Sequence, residues 1–303
     1  MATFYINAPT LSEATSVFTD LAQTICASNG YYSDGLITRL LTDCELGPIV
    51  DCPDCLAPCG VDPFNINLGQ GIFRLDLDTG NTPADTGAII VKLSPASIPD
   101  GVKAVYNGVT YNEVSSSVDG YHGSSVPNGH VYVGNDSAIC VPGVGTYYDV
   151  PVYNWVGTSF VSSGSVEDVV VQAGELSFSS GVSPGTCVMV IPKPTATPKE
   201  ISFEFVGVCS STALGIEVLC PEDLPSFTSS QIPAVSSVLA CAEVADETYY
   251  HYNFGAAGTP TINDWVFYDP NGEFRLPAGF YKITATDWIE VGSNGVVINE
   301  GVC

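Results

Sequence analysis

Four cysteines, Cys44, Cys52, Cys55 and Cys59, crowd into one Pro-containing stretch, and their spacing is where a metal-binding pattern can be drawn. Thiolates hold structural zinc tetrahedrally, and a C-x2-C pair supplies two ligands from one turn. Cys52 and Cys55 make such a pair, Cys59 follows as C-x3-C, and Cys44 stands upstream. Two C-x2-C knuckles would be the strong form of that pattern. The set reads as zinc ligands or, alternatively, as disulfides or buried thiols in a connector. The chain carries eleven cysteines, an odd number, so at least one stays outside intrachain pairing.

Other residues suggest weaker chemistry. Asp76, Asp78 and Asp85, with Asn81, outline an irregular calcium site, but the EF-hand pattern fails: its fifth position is Gly80 and its twelfth is not Glu. The alternative is a set of strand ends facing solvent. His122, His130 and His251 fall in no triad or metal motif, and G-x-S-x-G, H-E-x-x-H and phosphate-loop patterns do not occur. An enzyme is therefore not expected, and no cofactor is called for beyond the zinc or calcium alternatives. Tyr147, Tyr148, Tyr153 and Trp155 could form a platform for sugar rings. Core packing and cross-strand pairing are the reading preferred for them. Tyr249, Tyr250, Tyr252 and Phe254 read the same way, or as a subunit contact.

The elements that hold these residues are announced by a repeat. Val17-Phe18-Thr19-Asp20 is followed after nine residues by Gly30-Tyr31-Tyr32, and Val266-Phe267-Tyr268-Asp269 after nine residues by Gly279-Phe280-Tyr281. Alone, residues 10–25 resemble a capped amphipathic helix, with Ala14, Val17, Phe18, Leu21 and Ile25 on one face. In the second copy, Leu21-Ala22-Gln23 is matched by Pro270-Asn271-Gly272, a turn sequence and a poor helix interior. Each copy is therefore expected to be a β-unit: strand, tight turn, second strand.

Between the copies, strand signals recur. Phe73–Asp78 and Ile201–Phe205 alternate apolar and polar residues, Ala88–Leu93 is apolar on both faces, and Asn107-Gly108 joins two strand runs as a type I′ hairpin turn. Further strands are expected at 130–133, 168–172 and 187–191, and a hairpin at 288–298. The expected fold is all-β: a central antiparallel β-sandwich or jelly roll (61–222) flanked by small β-units at residues 1–60, with the Cys-rich connector, and 223–303.

Charge narrows the partners. Eight basic against 33 acidic residues give a formal net charge of −25, which repels nucleic acid and anionic membrane. No run approaches the roughly 18–20 apolar residues that span a bilayer. The start, Met-Ala-Thr-Phe-Tyr-Ile-Asn-Ala-Pro, has neither a basic n-region nor an apolar h-region, so the expectation is folding in a cytosol, with thiols that oxidise later, or else a signal already removed.

Several phrases resemble segments of virion and hypothetical proteins of tailed phages of Bacteroidetes and marine bacteria, crAss-like phages among them. They are Phe4–Pro9, Ala14–Asp20 and Gly30–Gly35, then Ile98–Val102 with Tyr106–Gly108, and Pro260–Asp264 through Gly279–Tyr281. The resemblance covers roughly the first 60 residues, a middle patch and the last 45. It implies a structural part on the exterior of a phage particle (tail, neck, fibre or capsid decoration), made in the host cytoplasm. Its partners would be other virion proteins, copies of itself and a host surface glycan. The alternative is a bacterial cell-surface or carbohydrate-binding β-sandwich protein.

Overall fold

Alternation of apolar and polar side chains puts most of the chain into strands. The computed structural model describes residues 4–33, 37–48, 50–51, 56–60, 64–96, 98–118, 120–135, 140–156, 159–177, 185–252, 254 and 258–303. The fold is all-β. Among the described residues, helix is confined to Ser237–Ala242 and a 3-10 turn at Ala173–Glu175, and no helix is long and apolar enough to cross a membrane. The chain divides into two compact units: Met1–Ala57 with Trp155–Ser159, and Pro58–Asn154 with Phe160–Cys303.

The larger unit contains a sandwich. Its first sheet runs Gly120–Gly123, Glu113–Ser116, Cys187–Lys193, Gly87–Pro95, Leu214–Glu222, Phe64–Ile66. The main path of the second runs Val109–Tyr111, Asp100–Tyr106, Glu200–Gly207, Gly71–Asp78, Gly145–Val156, Ser159–Val171. Most pairings are antiparallel; Val152–Asn154 runs parallel to Ile72–Arg74.

Register sorts the faces. Phe73, Leu75 and Leu77 oppose Phe205, Phe203 and Ile201, which oppose Val102, Ala104 and Tyr106 in turn. All nine are buried, as a period of two on an inward face requires. The residues between them, Arg74, Asp76, Lys103 and Glu204, line a cleft on the opposite face. In the first sheet, Ile89, Val91 and Leu93 alternate with Ala88, Ile90 and Lys92, and all but Lys92 are buried. The Asn107-Gly108 turn has φ of 50° and 75°, the two positive values a type I′ turn needs.

The Cys59–Cys220 disulfide joins the sheets. Cys59 N–H bonds Asp78 of the second sheet at 2.9 Å, Gly60 N–H bonds Val218 of the first at 2.9 Å, and Cys220 lies on the first. Cys140–Cys209 and Cys241–Cys303 are further bridges of this unit, Cys26–Cys44 belongs to the smaller one, and Cys187 is a buried thiol.

Residues 223–303 share a core with the sandwich. Leu224, Trp265, Phe267 and Val296 pack on Ala88, Ile90, Val188 and Val190, covering the outer face of the first sheet. Trp265 Nε1 donates to the Val188 carbonyl at 3.3 Å, the Ser115 hydroxyl donates to the Asn263 carbonyl, and Arg275 pairs with Glu113. This cover explains why Ala88–Leu93 is apolar on both faces: it is buried from both sides.

Candidate functional site

The repeated motif folds into the same unit twice, with its main-chain bonds repeated. In each copy the shared Val sits on a short strand and is buried, 1% exposed at Val17 and 0% at Val266. Its carbonyl accepts the N–H of the residue ten positions on, Ala27 at 2.9 Å and Leu276 at 3.0 Å. The shared Asp organises the turn. Asp20 accepts the N–H groups of Thr24 and Ile25 and the Thr24 hydroxyl; Asp269 accepts those of Asn271, Glu273 and Phe274. These donors turn away from any ladder and need a short acceptor side chain. The shared Tyr then locks the next strand by donating to a carbonyl four residues back, Ser28 at 2.7 Å and Pro277 at 3.0 Å. A later contact repeats as well: Leu46 N–H to Thr15 and Val297 N–H to Asp264, both 2.9 Å.

The helix suggested by residues 10–25 is thus reduced to a single turn at Thr10–Ala14, where the Ala14 N–H reaches the Thr10 carbonyl at 3.1 Å. Gln23 takes φ 57° where the other copy has Gly272 at 75°, a left-handed position that ends any helix there.

The copies differ in what they pack on. Trp265 of the second is matched by Ser16, whose hydroxyl donates to the Cys44 carbonyl at 2.7 Å. Opposite the shared Tyr stands Ile289 in the second copy and Arg39 in the first. The Arg39 guanidinium donates to the carbonyls of Leu11, Ser12, Ala14, Leu46 and Gly47. It lies beside a core of small and aliphatic residues, Leu11, Ala14, Val17, Ala27, Leu41 and Leu46. A fixed fork of donors does here what apolar bulk does in the second copy.

The residues singled out by type are dispersed. Of the two alternatives, zinc or disulfides, Cys44 and Cys59 take the second, bonded to Cys26 and Cys220; an oxidised sulfur has no thiolate to offer a metal. Cys52 and Cys55 lie outside the described residues. Asp78 accepts the Gly80 N–H at 2.8 Å and pairs with Lys199, while Asp85 accepts from the N–H and hydroxyl of Thr82. Among the described residues, no cluster of three or more His, Cys, Asp or Glu is placed to hold a metal. Tyr147 packs on the core around Tyr132 and closes on Gly143, and Tyr153 stacks on buried Phe73 at 5.0 Å. Tyr148 is 71% exposed and Trp155 half-buried, so the rings do not lie on one open platform.

One charged network escaped sequence reading because its members are far apart in the chain. His130 lies between Glu175 (3.5 Å) and Glu204 (3.2 Å). Glu204 also meets Lys103 at 2.7 Å and Arg74 at 3.1 Å, and Arg74 forks onto Glu167. Burial pushes Glu175 and Glu204 up, but hydrogen bonds outweigh it and hold both below the ordinary carboxylate range. The donors are His130 and the Gln172 N–H for Glu175, and His130 and Lys103 for Glu204. Through Arg74, Lys103 and Glu204 the network ties strands Gly71–Asp78, Asp100–Tyr106 and Glu200–Gly207 to one another.

All eight Lys and Arg residues are engaged in this way. Arg74, Lys92, Lys103, Lys199 and Arg275 pair with carboxylates. Arg39, Lys193 and Lys282 donate to main-chain carbonyls.

Asp100 lacks this satisfaction. Both its oxygens are buried without a hydrogen bond, and the Thr212 hydroxyl beside it donates to Cys209 at 3.1 Å. Burial raises its carboxyl well above the usual range. The native state therefore keeps a proton that the unfolded chain releases above about pH 3.9, and stability falls as pH rises through that point. Asp100→Asn, which cannot titrate, should flatten this slope. Thermal melts from pH 4 to 8 check it; a variant less stable at every pH would show that the carboxyl is partnered.

No family model matches the chain, and neither does any curated protein or solved structure.

Proposed function

We propose that this chain is a structural protein on the exterior of a tailed phage particle, a part of the tail, neck, fibre or capsid decoration, assembling through its terminal β-units. The observation that carries the reading is the duplicated unit. A building block used twice in one chain, with its turn kept and the residues it packs against changed, suits a part that joins different neighbours. The engagement of every cation supports a role away from packaged DNA, and the disulfides suit a molecule exposed after release from a reducing cytosol. The resemblance to phage virion proteins points the same way.

The test is mass spectrometry of purified particles together with immunogold labelling of intact ones. The expected result is the chain in stoichiometric amount, with label on the outside. Absence from particles, or label only after disruption, would overturn the reading. The four disulfides among the described residues also favour the second reading, a bacterial cell-surface protein; recovery from the cell envelope instead of particles would decide for it.

A further inference from the structure

The two copies differ at one edge. In the second copy, strand Gly279–Lys282 has Asp287–Val291 on one side, and its other side is taken by an extended segment of the same chain. Ala234 and Phe280 exchange both main-chain hydrogen bonds, at 2.8 and 3.0 Å, and the Ser230 N–H reaches the Lys282 carbonyl at 2.9 Å. Pro233 comes so close that a Cβ on Gly279 would lie 2.5 Å from it. That approach, together with a φ of 145°, is why the shared residue must be glycine here.

In the first copy the matching strand is Gly30–Ser33, paired with Ile37–Thr42. Tyr31 opposes Leu40, and the Leu40 carbonyl is turned away to accept the Gly47 N–H at 2.8 Å. Tyr31 and Leu40 are therefore a non-hydrogen-bonded pair, and the Tyr31 N–H and C=O point to the outer edge. These are the counterparts of the Phe280 groups that bond Ala234, and among the described residues they have no partner. The Tyr31 side chain is 72% exposed, whereas Phe280 is half-buried and packs on Trp288 at 5.5 Å. Gly30 has no positive φ, and the nearest described atom to a Cβ there is the Ser28 carbonyl at 4.0 Å. Nothing described within the chain requires glycine at this position. The space that Pro233 fills at Gly279 is open at Gly30.

We propose that the Gly30–Ser33 edge accepts an extended, uncharged segment of another protein, seated antiparallel with a small residue opposite Tyr31. The form of the occupant follows from the cis example, Ser230-Gln231-Ile232-Pro233-Ala234-Val235, which contains no charge. A second copy of this chain is disfavoured because Met1–Ala57 holds seven acidic residues and one basic, so two such units repel. The edge of the second copy is already filled and accepts nothing. This inference rests on the reading of the terminal units as attachment points and narrows it to one of them.

The test uses the full chain and a fluorescent synthetic peptide of the sequence Ser-Gln-Ile-Pro-Ala-Val, followed by anisotropy and by hydrogen exchange over residues 29–33. Saturable binding is expected, with at least about tenfold slower exchange at Tyr31. Gly30→Val, placed in open space, should fold with an unchanged melting temperature and lose binding at least about tenfold, as a side chain facing the incoming proline must. Lack of binding, binding that survives Gly30→Val, or a chain that dimerises through this edge would each overturn the proposal. The particle experiment is independent: an edge that binds in a protein absent from particles sinks the phage reading alone, and a virion protein whose edge does not bind sinks only this inference.

Discussion

Trp265→Ala should cost about 3–5 kcal/mol, the range for truncating a large aromatic in a packed core. Trp265 is 1% exposed, lies among Ala88, Val188 and Phe267, donates to the Val188 carbonyl and carries the Arg275 guanidinium 4.3 Å above its ring. Truncation would open a cavity between residues 223–303 and the first sheet, and would leave Arg275 with only its polar partners. Trp265→Ser, which writes the first copy's Ser16 into the second, should be as severe, whereas Ser16→Ala should change stability far less. Urea denaturation of the three variants measures this. A loss under about 1 kcal/mol at Trp265 would mean that the shared core contributes little.

Breaking Cys59–Cys220 should be the other large effect. The bridge spans 161 residues, and closing a loop of that length restricts the unfolded chain by about 5 kcal/mol in the chain-entropy account. Cys59→Ser with Cys220→Ser should lower the melting temperature markedly, and reductant should then add much less than it does to the parent protein. Identical melts for parent and double variant would remove the bridge from the account of stability. The other three bridges among the described residues close shorter loops, of 18, 62 and 69 residues, and on the same account contribute less each.

These expectations show which parts of the molecule could be read from its residues. Asn107-Gly108, Phe73–Asp78 and Ile201–Phe205 announce themselves because their signals are local: a turn type, or one buried face. The first β-unit is misleading alone, since Thr10 and Glu13 do start a turn; only Pro270-Asn271-Gly272 in the second copy shows that no helix follows. The long strands Gly145–Val156 and Ser159–Val171 carry little signal, because most of Ser159–Val171 is exposed on both sides and Asp149 adopts a φ of 54° within its neighbour. Pairing of Cys59 with Cys220, and of His130 with Glu175 and Glu204, joins residues far apart in the chain, and nothing local marks either. The open edge at Tyr31 was legible only as half of a comparison, once the filled edge at Phe280 was visible.

The complete engagement of the eight basic residues has a consequence beyond the fold. With every cation tied to an internal acceptor, the molecule presents its neighbours with an almost unrelieved anionic field. Two copies can approach only by compressing the counter-ion clouds around them, which extend about 8 Å at physiological ionic strength. Such a protein behaves as a charge-stabilised colloid: it can be crowded without clumping, and an exposed strand edge that would otherwise invite indiscriminate pairing is reached only by a partner that is neutral or positive.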